Sequence, residues 1–344
     1  MKIIIDKGIP FIEGVFEPYA EVTYKEGSAI EAADVRDADA LIIRTRTKCN
    51  SALLDGSKVK IIATATIGTD NINLQYCKEH GIFLSNAAGC NAGGVMNYVF
   101  SALYGTAARK SIPLNGCTFG IVGVGNTGAR VEKMARTLGF KVLLYDPIRA
   151  EEEGASQFCE LDELLENSDV VSLHIPLNDR TRGIADAGFF ASMKPGAFFI
   201  NTAHGELVVD EDLIYAAPRL GPIILDVWNN EPDINPDVMD ITDIATPHIA
   251  GYSYQGKLLG TREAVRSVAR YFKIEPLYEF FPQPDITGLD AVKIDLIGKS
   301  QGQITSIFQY NYPVFTDDFM FRIAPRDFNT LRENYRYRRE FYAD

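Results

Sequence analysis

The apolar run Phe119-Gly-Ile-Val122 leads directly into Gly123-Val-Gly125-Asn126-Thr127-Gly128, and helical spacing follows from Asn126 to Leu138. Strand, glycine turn and helix in that order are what dinucleotide binding asks of a chain. Gly123 permits the tight turn. Gly125 removes a Cβ, so that a pyrophosphate can approach the backbone. Gly128 lets helix and strand pack closely. Asn126 and Thr127 stand at the helix start, where amide donors and the helix dipole hold phosphate. Asp146 closes the next apolar strand, Lys141 to Asp146. A carboxylate there accepts the ribose hydroxyls of NAD and repels a 2′-phosphate, so NAD is the expected cofactor.

The same alternation extends in both directions. Strands are expected at Lys2 to Asp6, Ala40 to Arg44 and Lys60 to Ala65, followed by a long helix from Gly93 to Ala108. Beyond Asp146 come a short helix, Leu161 to Asn167, and strands at Val170 to Ile175, Ala197 to Thr202, Pro222 to Asp226 and Ile241 to Thr246. Short, wholly apolar strands separated by helices predict an α/β protein with doubly wound parallel sheets. Composition shifts near Glu275, where Pro276, Pro282 and Pro284 cluster. The residues beyond read as a small α+β unit that ends in an Arg- and Tyr-rich helix, Arg326 to Tyr342.

The 344 residues carry 46 acidic and 34 basic side chains, a formal charge of -12. That balance argues against broad electrostatic binding to nucleic acid or anionic membrane. No apolar run approaches the roughly 20 residues of a membrane span. Cys49, Cys77, Cys90, Cys117 and Cys159 are scattered, so neither a disulfide framework nor a metal-ligand pattern is expected, and the reducing cytoplasm is the expected location.

Three further segments sit at or just past predicted strand ends, the edge where open α/β sheets bind ligands. They are Phe199-Ile-Asn-Thr-Ala203-His204-Gly205, Leu225-Asp226-Val-Trp-Asn-Asn-Glu231-Pro232 and Thr246-Pro-His248-Ile-Ala-Gly251-Tyr252. Hydride removal from a secondary alcohol needs a base for the hydroxyl proton. His248 suits that task because imidazole titrates near neutrality, and Glu231 is the carboxylate that would orient it. The turn Arg44-Thr45-Arg46-Thr-Lys48 follows a strand and offers cations and hydroxyls for a carboxylate or phosphate, with Thr66 after the next strand as a further donor.

These motifs resemble the D-2-hydroxyacid dehydrogenase family. The marks are Thr64-Ala-Thr-Ile-Gly-Thr-Asp70, the Gly123 turn, His174-Ile175-Pro-Leu177, Asp226-Val-Trp-x-x-Glu-Pro232 and Pro247-His-Ile-Ala-Gly251. The tail Phe328-Asn-x-Leu-Arg-x-Asn-Tyr-x-x-Arg-Arg-Glu340 is similar to the dimerisation domain of one branch of that family. The resemblance implies two Rossmann-like domains and a small α+β dimerisation domain. It places a substrate-binding domain at residues 1–94, completed by about 256–284, an NAD-binding domain at 95–255 and the dimerisation domain at 285–344. It implies NAD-dependent oxidation of a small phosphorylated 2-hydroxy acid by a cytoplasmic homodimer. By motif position Thr45, Thr66 and Tyr252 would touch substrate. Asp146, His174, Ile175, Ala203, His204, Asp226 and Gly251 would line the cofactor site, and His248 and Glu231 would be the acid–base pair. His204 stands where the family carries an arginine that binds the substrate carboxylate. Histidine is shorter and cannot offer a bidentate fork. Two alternatives stay open: another member acting on a different 2-hydroxy acid, and a non-catalytic NAD-binding regulator on the same fold.

Overall fold

A computed structural model describes residues 1–69, 71–283 and 290–343. Asp70, Pro284 and the expected boundary at 284–285 lie outside the described residues. The chain divides into two compact units, residues 1–91 with 254–290, and residues 92–253 with 291–344.

The first unit is built on a five-stranded parallel sheet. Its strands are β1 (Lys2–Asp6), β2 (Glu21–Lys25), β3 (Ala40–Ile43), β4 (Ile61–Thr64) and β5 (Phe83–Asn86), in the order β2-β1-β3-β4-β5. Strands β3 and β4 are buried along their whole length, because each face has its own apolar cover. Ile3, Ile5, Ile42 and Ala63 pack with Ala264, Val265 and Val268 of the helix Tyr254–Phe272. Ile4, Leu41, Ile43 and Ile62 pack on the other face with Val35, Leu53 and Cys77. Continuous Ile/Leu/Ala runs are what two-sided burial selects.

The second unit holds a six-stranded parallel sheet of β6 (Thr118–Val122), β7 (Lys141–Tyr145), β8 (Val170–Leu173), β9 (Phe198–Asn201), β10 (Ile223–Leu225) and β11 (Ile244–Ala245). Its order is β11-β10-β9-β8-β6-β7, so the winding reverses between β6 and β8. The loops leaving those two strands carry the glycine turn and His174. The helix Ala92–Arg109 covers one face and is buried almost throughout.

The C-terminal segment packs onto this second sheet. Phe308, Phe321, Phe328 and Phe341 are at most 1% exposed within the two cores of the unit. Each such burial contributes about 1.5–3 kcal/mol, enough to fix the segment in place. Helix Val314–Ile323 also closes the sheet edge: Ala245 N donates to Asp318 Oδ1 at 2.8 Å, and Arg322 donates to Met239 O at 3.1 Å. An edge strand otherwise leaves such donors unpaired.

Two expectations need correction. The helix expected from Arg326 to Tyr342 stops at Glu333; helix Phe328–Glu333 gives way to irregular chain and then β13 (Phe341–Tyr342), which pairs with β12 (Val292–Lys293). Side-chain bonds to distant partners explain the break. Arg338 Nη2 donates to both Asp317 carboxylate oxygens, at 2.7 and 2.8 Å, and buried Asn97 brackets Phe341 by giving to its carbonyl at 2.7 Å and taking from its amide at 3.0 Å. The strand expected from Ile241 to Thr246 is only Ile244–Ala245, because Ile241 ends a helix begun at Pro236, with Asn235 as its cap.

Candidate active site

Each glycine of the 123–128 turn meets a different local demand. Gly123 has φ +92°, and a Cβ there would lie 2.6 Å from Ile175 Cγ2 and 2.8 Å from the His174 carbonyl carbon. A Cβ on Gly128 would lie 2.0 Å from Gly123 O. Gly125 is the opposite case: its Cβ would meet nothing within 4 Å. It is the N-cap of helix Asn126–Thr137 and brings no side chain to the first-turn amides. Open space facing uncapped donors fits a dinucleotide pyrophosphate. Asp146 tightens the turn from the side. Its Oδ2 accepts from Val124 N at 2.8 Å and its Oδ1 from Arg149 N at 3.1 Å. The Arg149 guanidinium is held by Val124 O at 2.9 Å and by Glu153 at 2.7 Å. His174 Nε2 lies 2.9 Å from Ser172 Oγ, and desolvation keeps this imidazole well below its ordinary range, hence neutral.

At the ends of β9, β10 and β11 the backbone is organised by side chains. Asn201 Oδ1 accepts from Ala203 N at 3.0 Å while its Nδ2 donates to His204 O at 2.8 Å, shaping the turn that carries Ala203 and His204. Gly205 is forced by close approach, since a Cβ there would sit 1.9 Å from the Trp228 carbonyl carbon. Asp226 is 1% exposed and gathers the 246–250 loop. It accepts from Thr246 Oγ1 at 2.6 Å, Ile249 N at 2.8 Å and Ala250 N at 2.8 Å. Because Thr246 donates to Asp226, the buried Tyr98 hydroxyl must donate to Thr246 Oγ1, 2.7 Å away. Burial pushes the Asp226 carboxyl up to about 6, against the lowering effect of His248 and these hydrogen bonds.

Held this way, His248 adopts a left-handed backbone with φ +56°. Such strain in a non-glycine residue persists only where the surroundings over-determine it. Its Nδ1 lies 2.8 Å from Glu231 Oε2, and Glu231 Oε1 accepts from Trp228 N at 3.0 Å. Burial works to raise the Glu231 carboxyl, but the His248 charge and hydrogen bond, the Trp228 amide and the Arg332 charge together hold it below its usual value. The arrangement is an oriented imidazole with Nε2 left for a proton, backed by an ionised carboxylate.

Tyr252 closes this loop against the tail. Its ring meets those of Tyr335 at 5.9 Å and Tyr337 at 6.4 Å, and the Arg332 guanidinium carbon stands 5.9 Å from its centroid. In the first unit, Arg44, Thr45 and Arg46 follow β3 and Thr66 follows β4. Arg44 is braced by fully buried Asp6, which takes Nε at 2.9 Å and Nη2 at 3.2 Å. Thr66 Oγ1 is 2.7 Å from Thr64 Oγ1. Residues that the sequence reading did not single out are Asp6, Asn201 and Thr246, which brace named residues, and Arg332. Asp6 and Asn201 are the last residues of their strands and Thr246 directly follows its own, a signal available in the sequence. Arg332 stands in the tail motif quoted above, which gave it no role of its own.

Comparison with known proteins places this geometry in a class. Residues 99–250 match the model of the D-isomer specific 2-hydroxyacid dehydrogenase NAD binding domain. The chain belongs to the D-isomer specific 2-hydroxyacid dehydrogenases. Within that family it is 42% identical to an erythronate-4-phosphate dehydrogenase of Bacteroides fragilis, with 99% of this chain and 97% of the relative covered. It is 38% identical to the protein of that name from Escherichia coli, covering 99% of this chain and 92% of the other. Among solved structures it is similar to the NAD+-bound 3-phosphoglycerate dehydrogenase of Entamoeba histolytica, with TM-score 0.68, 27% identity, and 83% and 99% of the two chains covered.

Proposed function

We propose that this protein oxidises 4-phospho-D-erythronate at C2 to 2-oxo-3-hydroxy-4-phosphobutanoate, with NAD rather than NADP, in vitamin B6 biosynthesis. The observation that carries the reading is the 2.8 Å His248–Glu231 pair in the same unit as the Gly123 turn, in a chain whose near-full-length relatives bear that enzyme's name. NAD, when bound, supplies the hydride acceptor. Gly123, Gly125 and Gly128 with the amides of Asn126 and Thr127 take its pyrophosphate, and Asp146 its ribose. Ile175, Ala203 and Gly251 line the rest, with His174 and Asp226 behind them. His248 Nε2 accepts the C2 hydroxyl proton, and Glu231 stabilises the resulting imidazolium. Tyr252 and Thr66 contact the substrate, and the Arg44–Thr45–Arg46 turn takes its phosphate.

The chain works as a cytoplasmic homodimer in this reading. Tyr310, Phe319 and Ile323 on the C-terminal helices are exposed apolar side chains suited to a second copy, and sedimentation at micromolar concentration tests it. The decisive assay is NAD reduction with 4-phosphoerythronate beside unphosphorylated erythronate; turnover should strongly favour the former. His204 supports a second reading, a non-catalytic NAD-binding regulator. NADH binding with no turnover of any 2-hydroxy acid would favour it.

A further inference from the structure

We propose that Arg332, from the C-terminal segment, reads the substrate carboxylate beside the His248–Glu231 pair. The inference rests on the hydride-transfer reading and names a residue that reading leaves out.

Arg332 lies in the last turn of helix Phe328–Glu333. Its guanidinium carbon stands 5.9 Å from the Tyr252 ring centroid and 5.6 Å from that of Phe328, so two aromatic rings flank it. Its Nε is buried and makes no hydrogen bond among the described residues. An N–H withdrawn from water without a partner is costly. Nearby tail arginines meet that demand within the chain. Arg338 Nη2 donates to both Asp317 oxygens, and Arg322 donates to Asp318 and to the carbonyl of Met239.

Glu231 is near enough to feel the Arg332 charge, yet it does not take the guanidinium as an ion-pair partner. Both Glu231 oxygens are already engaged, by Trp228 N and His248 Nδ1. The cation is therefore left for a third, external anion. In a 2-hydroxy acid the carboxylate is bonded to the carbon whose hydroxyl His248 would deprotonate. A guanidinium 5.9 Å from the ring of Tyr252, four residues past His248, is placed for that near group rather than for a phosphate two carbons further on. The aromatic flanks suit a planar cation and exclude water around the contact, strengthening it.

The test compares wild type, Arg332→Gln and Arg332→Lys with 4-phosphoerythronate and with erythronate, each variant checked by thermal melting. Arg332→Gln should raise KM for both acids by the same factor, about tenfold or more, with kcat changed far less. Arg332→Lys should recover part of the loss, because it keeps the charge and not the fork. KM of the wild type should stay flat from about pH 6 to 9, since guanidinium does not titrate there; an imidazole reader would fail above about pH 6.5. A penalty confined to the phosphorylated acid overturns the carboxylate assignment, and an unchanged KM overturns the proposal outright. Should the wild type turn over neither acid, the hydride-transfer reading fails. Oxalate binding to NADH-loaded protein by calorimetry then decides for Arg332: equal affinity in wild type and Arg332→Gln sinks it, and a tenfold loss in Arg332→Gln sustains it.

Discussion

From Gly123 to Gly128 the backbone takes its path from what is missing. Two absent Cβ atoms let it fold back on itself within van der Waals contact, and a third leaves open space. From Thr246 to Ala250 the path comes from what is present. One buried carboxylate gathers a hydroxyl and two amides, and His248 is bent into a left-handed conformation between them. The two regions sit on one sheet and differ in what perturbs them. The turn is broken by adding atoms, the loop by removing polar ones. Chemistry needs a side chain held in one pose, and that is the loop's task; a cofactor phosphate needs only space and donors.

The sharpest separation of the two regions is His248→Ala. It should leave NAD affinity unchanged and lower the turnover rate by about 100-fold or more, the usual loss when a positioned base is removed. Stopped-flow rates beside NADH fluorescence titration measure both. A matching loss of NAD affinity would mean that loop and turn are one structure rather than two.

Asp226→Asn tests whether the loop depends on a buried charge. With its carboxyl pushed up to about 6, Asp226 holds its proton in the folded protein after the unfolded chain has released it. Folding stability contributed by this group is then highest below about pH 4, falls as pH rises to about 6, and is flat above. Across that window the wild type should lose about 2–3 kcal/mol relative to Asp226→Asn, which cannot ionise. Urea melts at pH 4, 5, 6 and 7 give the curve; parallel curves for the two proteins would show that the carboxylate is already ionised at pH 4.

The turn is tested by one methyl group placed twice. Gly128→Ala should destabilise by about 1–3 kcal/mol, because the added Cβ would fall 2.0 Å from Gly123 O. Gly125→Ala adds its methyl to open space, so stability should hold while NAD affinity falls. Equal melting temperatures for the two variants would refute the division of labour among the glycines.

This contrast also explains what was legible in the sequence. Glycine spacing and apolar strands are local, so β1, β3, β4 and β6 to β10 could be read within a residue or two. Strands β2 and β5 could not. They are sheet edges, and their residues are mostly exposed or half-buried, with no alternation to mark them. The tail misled for a different reason. Its spacing from Arg326 onward is compatible with helix, but Asp317 holds Tyr335 and Arg338, and Asn97 holds Phe341, in another path, and those two partners lie outside the tail in sequence. His248 and Glu231 were legible by residue type; Arg332 was not, because its significance lies in bonds it does not make.

Asp146→Ala probes the turn's selectivity. Asp146 also caps Val124 N and Arg149 N, so absolute affinities will fall for both nucleotides. The informative quantity is their ratio. Removing a carboxylate that faces a 2′-phosphate should shrink the preference for NAD over NADP by about tenfold. An unchanged ratio would assign selectivity elsewhere.

The smallest expected effect comes from His204→Arg, and it asks whether the loop region lacks a cation. His204 sits just past β9 in ordinary extended backbone, φ -145° and ψ 141°, with its carbonyl held by Asn201 Nδ2. That conformation suits arginine as well as histidine, so the substitution should not disturb the fold. Histidine offers a charged donor only when protonated, whereas arginine is always charged and presents a fork. If the substrate carboxylate is still underserved, the variant should lower KM by about fivefold, the margin of a charged bidentate contact over a single neutral one. A fast wild type that His204→Arg slows would give the opposite lesson. The carboxylate would then already have its partner, a second guanidinium would crowd it, and His204 would be fitted to a site whose cation comes from elsewhere in the chain.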